Sequence, residues 1–235
     1  MKKILSLLLT AIMILSLLTA CQSETVESGP VEVDGTTYVD SASATIYVKI
    51  VFESFGTVLV QLSPEDAPIT VANFQKLVGQ GFYNGLTIHR VEPGFVIQGG
   101  DPKGNGTGGS GEKIKGEFAS NGVVNNLSHK RGVLSMARTN DLNSATSQFF
   151  VCLDTVNCTR SLDGKYAAFG WVISGIDVID RIAGVETFNA GGFNMPTKEI
   201  VIKSMTFVAP LETETTAAQT QGATDTVAST DTAAA

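Results

Sequence analysis

Between residues 45 and 209 short apolar runs alternate with polar turns, the pattern of a β-rich domain. Residues 45–52 and 57–62 are rich in β-branched side chains and flank Glu53-Ser54-Phe55-Gly56, which predicts two strands joined as a hairpin. Further strands are predicted over 95–98, 132–137, 148–153, 167–173 and 200–208. Only two stretches carry helical spacing. In the first, Val71, Phe74, Leu77 and Val78 share one face, Pro68 suits the opening turn, and Gly79 and Gly81 stop it. In the second, Ile176, Ile179, Ile182 and Ala183 repeat that spacing. Many strands with one early and one late helix predict a mainly β domain, a single barrel capped at its ends.

The two ends of the chain do not share this pattern. Met1-Lys2-Lys3 is cationic and residues 4–20 are almost wholly apolar, the layout of a secretory leader over 1–20. Leu18-Thr19-Ala20-Cys21 resembles a bacterial lipobox, in which Cys21 would take a diacylglyceryl group and become the new N-terminus. Two acyl chains give stable anchoring where one is marginal. The expected location is therefore the outer face of the cytoplasmic membrane. Residues 21–44, rich in Ser, Thr, Glu and Gly, are expected to form a flexible tether, and the ordered domain to span 45–209. Residues 210–235 are nearly all Thr, Ala, Glu, Asp and Gln, too poor in apolar area to offset the entropy of ordering, so disorder is expected there.

Composition narrows the function. At 43% hydrophobic the 235-residue chain can build one core, and removing Lys2 and Lys3 with the leader takes the formal charge from −7 to −9. An acidic exported protein without a basic run is a poor nucleic-acid ligand. Only His89 and His129 exist, with no Cys or carboxylate cluster at ligand spacing, so neither metal nor cofactor is expected. His89 follows the strand to the face opposite Arg90 and is expected to be a structural hydrogen-bonder. Cys152 lies in an apolar run, and it and Cys158 are expected to be free thiols. Residues 104–111 formally satisfy G-x-G-x-x-G, but the polar stretch after them shows no helical face, so a dinucleotide site is rejected.

The most specific segment is Ile88-His89-Arg90-Val91-Glu92-Pro93-Gly94-Phe95-Val96-Ile97-Gln98-Gly99-Gly100-Asp101. It sets a planar cation, an aromatic ring and an amide about a Pro-Gly turn. It resembles the signature segment of the cyclophilins, peptidyl-prolyl cis-trans isomerases with a closed, eight-stranded antiparallel β-barrel capped by two helices. The glycine loop 104–111, the segment 134–150 and Leu162-Asp163-Gly164-Lys165-Tyr166-Ala167-Ala168-Phe169-Gly170 resemble later cyclophilin segments in the same order, so the likeness spans about 45–208. It implies Arg90, Phe95, Gln98, Phe150, Leu162 and Tyr166 as catalytic residues. It implies Val96, Gly106, Ala137, Arg138, Gln148 and Ser161 as substrate-binding, with the Ala137-Arg138 backbone pairing to an extended peptide.

Two positions depart from the family. Tyr166 stands where many members have histidine, and Ser161 where cyclosporin-sensitive members carry tryptophan, so weak cyclosporin binding is expected. The expected function is isomerisation of X–Pro bonds in exported polypeptides by a monomer. The alternative is a proline-peptide-binding chaperone or adhesin with little turnover. A solute-binding lipoprotein is disfavoured, because no second domain exists to close over a ligand.

Overall fold

Two-residue alternation, interrupted at bulges, organises the molecule, sending one set of side chains inward and the next outward along the strands. The computed structural model describes residues 29–211 apart from 42 and 44. The expected leader, the lipid-bearing Cys21 and the tail from 212 onward lie outside the described residues. The elements run β1 (Val31–Val33), β2 (Thr36–Asp40), β3 (Tyr47–Phe52), β4 (Gly56–Leu62), α1 (Pro68–Gly79), β5 (Thr87–Glu92), β6 (Val96–Asp101), β7 (Val133–Met136), β8 (Phe149–Cys152), α2 (Thr155–Leu162), β9 (Ala168–Ser174), α3 (Ile176–Ala183), β10 (Thr187–Asn189), β11 (Asn194–Pro196) and β12 (Ile202–Pro210).

Ten strands form one antiparallel sheet in the order β1-β2-β12-β3-β4-β9-β7-β8-β6-β5, while β10 and β11 pair separately. β1 and β5 end this order, and the residues leading into β12 meet β5 at one antiparallel bridge, Thr87 to Val201. Hydrogen bonds from Gly85 N to Ile202 O (2.8 Å), Ile202 N to Leu86 O (2.8 Å) and Ile88 N to Ile200 O (2.9 Å) flank it. Part of the expected tether is ordered. Asp34 and Gly35 both take positive φ, 47° and 76°, turning β1 onto β2, and β2 pairs with β12 from Val208 to Pro210. A third helix, α2, follows β8, where the pattern had predicted only two helices.

The main core gathers inward-facing side chains of the sheet with the apolar faces of α1 and α3. Phe74 of α1 lies 5.1 Å from Tyr83, 5.9 Å from Phe149 and 5.0 Å from Phe169, ring centre to ring centre. Such pairs each add about 0.5–1.5 kcal/mol beyond area burial. Helix α1 has no side-chain cap of its own. Buried Glu117 caps it from a distant loop, accepting from Ile69 N (3.0 Å), Thr70 N (2.8 Å) and Thr70 Oγ1 (2.7 Å). A carboxylate there also meets the positive end of the helix dipole. That bond ties the long 102–132 connection, one wall of the cleft described next, to the core.

Candidate active site

The register of four strands builds the site. Arg90 on β5 stands opposite Gln98 on β6, Gln98 opposite Phe150 on β8, and Phe150 opposite Ser135 on β7. Directly opposed residues share a face, so these four form one row across the outer surface of the sheet. The next row holds Val96 opposite Cys152. The intervening Ile97, Phe149 and Val151 belong to the interior core.

On the outer face Val96, Phe150, Cys152, Cys158 and Leu162 form a second buried cluster, against which Phe95, Ala137 and Tyr166 pack half-buried. Helix α2 supplies Cys158 and Leu162, one turn apart and both buried. It starts there because the Asp154 side chain accepts from Asn157 N at 2.8 Å, an N-cap. Both cysteines are free thiols. The Cys158 thiol donates to Phe95 O at 3.0 Å, tying helix and turn together. The bond to Cys158, with burial, pushes the Cys152 thiol far up. The result is an apolar cluster on the outer face, edged by the half-buried rings of Phe95 and Tyr166.

A polar wall borders it. Arg90 Nη1 donates to Gln98 Oε1 (3.1 Å), and Gln98 Nε2 donates to Gln148 Oε1 (2.9 Å). Gln148 Nε2 in turn donates to the carbonyls of Gly106 (3.1 Å) and Gly108 (2.8 Å). Beyond this chain lies a cleft of about 700 Å³ lined by Gln98, Gly106, Gly108, Ala137, Arg138 and Gln148, among others. Its floor requires glycine at 108, where an added Cβ would fall 2.0 Å from Asp101 Oδ1. Asp101 itself accepts from Lys103 N (2.8 Å) and Asn105 N (3.1 Å). Burial opposes its ionisation, but these backbone donors outweigh it and hold the carboxyl below the usual range.

The cluster is braced from behind. The ring of His129 stacks on Phe150, centroids 6.1 Å apart and planes 21° apart, and Tyr166 meets Phe150 edge-on at 5.8 Å. His129 Nδ1 lies 2.8 Å from Asp163 Oδ1 and Nε2 2.9 Å from Ser135 Oγ. The carboxylate requires the proton on Nδ1, which leaves Nε2 to accept from Ser135. This has the order of a hydrolytic triad, but Ser135 is 0% exposed and meets no substrate, so the chain of bonds holds Phe150 in place. Burial holds the His129 ring below the ordinary histidine value, against the pull of Asp163. For Asp163 burial acts the other way, yet the His129 N–H, the Ser128 hydroxyl and the His129 ring keep the carboxyl low. In front, the Arg138 guanidinium lies 4.6 Å from the Tyr166 ring and 5.1 Å from that of Phe118, and donates to Lys165 O at 2.8 and 3.1 Å.

The structure thus brings Arg90, Gln98, Phe95, Val96, Phe150, Leu162, Tyr166 and Ala137 to one place, with Gly106, Gln148 and Arg138 along the adjoining cleft. Ser161 stands apart, exposed on α2 while the next residue, Leu162, turns inward. His89 departs from expectation. It is the extra residue of a bulge between Ile88 and Arg90, and neither ring nitrogen has a hydrogen-bond partner among the described residues. A bulge breaks the simple alternation from which its role was predicted. His129, Asp163 and Glu92 escaped the sequence reading, because their partners lie far away in the chain.

Comparison with known proteins gives the family. Residues 47–207 match the family model for cyclophilin type peptidyl-prolyl cis-trans isomerases. The chain is 41% identical over 158 residues to peptidyl-prolyl cis-trans isomerase A of Dickeya dadantii, covering 64% of this chain and 79% of that protein. It is 45% identical over 129 residues to a peptidyl-prolyl cis-trans isomerase of Helicobacter pylori, covering 54% and 74%. Among solved structures, a cyclophilin type isomerase of Cryptosporidium parvum, crystallised in the presence of the dipeptide Ala-Pro, superposes with a TM-score of 0.60 at 30% identity, covering 68% of this chain and 98% of that one. With the family match running through every strand of the site, the chain belongs to the cyclophilin-type peptidyl-prolyl cis-trans isomerases and is an enzyme of that activity.

Proposed function

We propose that this isomerase acts on X–Pro bonds of exported polypeptides from a lipid anchor at Cys21, on the outer face of the cytoplasmic membrane, with Arg90 as its central catalytic residue. The observation that supports the site is the row Arg90–Gln98–Phe150 beside an apolar cluster whose edge, Phe95 and Tyr166, is only half-buried.

The X–Pro bond is held planar by amide resonance, and uncatalysed rotation takes tens to hundreds of seconds. No nucleophile or proton transfer is needed. In the rotated amide the prolyl nitrogen regains a lone pair, which a guanidinium N–H can meet. Raising turnover by about 10⁵ requires roughly 7 kcal/mol, and a charge-assisted hydrogen bond from Arg90 contributes about 1.5–3 kcal/mol of it. The remainder comes from holding both flanks. Phe95, Val96, Phe150, Leu162 and Tyr166 clasp the proline ring, while Gln98 and the Ala137-Arg138 backbone hold the preceding residues, so binding favours the rotated geometry over either planar one.

Isomerisation of a proline tetrapeptide by the full chain in detergent, beside Arg90→Ala, tests the assignment; parental turnover in that variant would end it. The anchor is tested separately by radiolabelled palmitate, which should enter the parent and not Cys21→Ala.

A further inference from the structure

Arg90 makes a second side-chain hydrogen bond, this one to a carboxylate. Arg90 Nε donates to Glu92 Oε1 at 3.3 Å, two residues along the same strand and on the same face. Glu92 is in turn fixed from a different part of the chain. Asn194, the first residue of β11, donates to it twice, from its backbone N to Oε1 (3.1 Å) and from Nδ2 to Oε2 (2.8 Å). Arg90 and Glu92 side chains retain only 29% and 22% of their exposure, so water competes weakly for this contact.

The donor count shows what the arrangement does. A guanidinium carries five N–H donors in a fixed plane. Nε–H is committed to Glu92 and one Nη1–H to Gln98, leaving one Nη1–H and both Nη2–H for a substrate. Two bonds at different corners of a planar group fix both its position and its rotation, which Gln98 alone cannot do. The first comes from β6, a sheet strand, whereas the second is relayed from the β10–β11 hairpin, which is not part of the main sheet.

We propose that Glu92, held by Asn194, is a positioning residue that orients the Arg90 guanidinium, so that the β10–β11 hairpin sets the alignment of the catalytic cation. The inference rests on the reading of Arg90 above. Glu92 and Asn194 need not touch the substrate; their effect passes through Arg90.

The test is a set of variants of the full chain, Arg90→Ala, Glu92→Ala, Asn194→Ala and the double Arg90→Ala/Glu92→Ala, assayed for kcat and KM on a proline tetrapeptide. Alignment errors of this kind lower the chemical step, so Glu92→Ala should reduce kcat about 10-fold with KM changed less than about twofold. Asn194→Ala should reduce kcat about threefold in the same manner. Adding Glu92→Ala to Arg90→Ala should cost nothing further, an outcome that general loss of structure would not produce. In the ¹⁵N spectrum the Arg90 Nε–H resonance should be sharp in the parent and exchange-broadened in both Glu92→Ala and Asn194→Ala. Parental kcat in Glu92→Ala, an unchanged Nε–H signal, or a further loss in the double variant overturns the proposal. An Arg90→Ala enzyme as fast as the parent would instead remove the role of Arg90 itself.

Discussion

Phe149 and Phe150 are neighbours of the same type on one strand, yet they belong to two different parts of the molecule. Phe149 points inward, edge-on to Phe74 and Tyr83, in a core closed on every side. Phe150 points outward, stacked on His129 and met edge-on by Tyr166, in a smaller cluster edged by half-buried Phe95, Ala137 and Tyr166. Both are nearly buried, at 1% and 4% exposed, so burial alone does not separate them. What separates them is the partner. The inner ring is surrounded by hydrocarbon, whereas the outer one leans on a hydrogen-bonded imidazole. Interior packing fixes the fold; the outer face uses the same residue types, held by polar bonds, in the cluster proposed above to clasp the proline ring.

That contrast can be broken most sharply by truncating the two rings in turn. Phe149→Ala should destabilise the protein by about 3–5 kcal/mol, read from urea unfolding, with activity lost only as the fold is lost. Phe150→Ala should cost less stability, about 1.5–3 kcal/mol, because its cluster is smaller and edged by half-buried side chains, while kcat/KM collapses at temperatures where the variant is fully folded. Equal ratios of activity loss to stability loss would erase the distinction.

Arg90→Lys sharpens it further. A lysine keeps the charge but cannot bond Gln98 and Glu92 while presenting a planar edge, so kcat/KM should fall about 10- to 100-fold with the melting temperature unchanged. The pH dependence of stability reports the brace behind Phe150. The folded His129 ring titrates below its unfolded value, so the unfolded chain binds the proton more readily. Stability is therefore complete above about pH 6.5 and declines as pH falls through the folded value. Asp163, also depressed, adds its loss at more acidic pH. His129→Gln should flatten the decline below pH 6.5 only in part, because buried His89 is depressed in the same direction. The smallest effect concerns cyclosporin. The exposed Ser161 offers neither indole donor nor ring area, so inhibition should be weak, and Ser161→Trp should strengthen it several-fold in the same tetrapeptide assay.

Much of this was legible in the chain. The inward face of each strand follows from apolar alternation, and the Arg90, Phe95, Gln98 and Phe150 grouping from segments that resemble one family in order. The misses have specific physical causes. Asp34-Gly35 between alternating residues is a strong two-residue turn signal, but the polar composition around it suggested a tether. Helix α2 has only eight residues, and Asp154 with Cys158 and Leu162 at helical spacing was its only mark. The contacts of Glu92 with Asn194 and of His129 with Asp163 join residues 102 and 34 positions apart, which no local pattern encodes.

The β1–β2 hairpin carries a practical consequence. It occupies the outer edge of β12 from Val208 to Pro210, and its Asp40 pairs with Lys49, a side chain only 3% exposed. A version trimmed to start at residue 45 would uncover a row of backbone donors and acceptors on β12, a template for strand addition by another molecule. Such a truncated protein should self-associate on concentration while the longer one stays dispersed, which would make a segment expected to be an expendable tether a guard against aggregation.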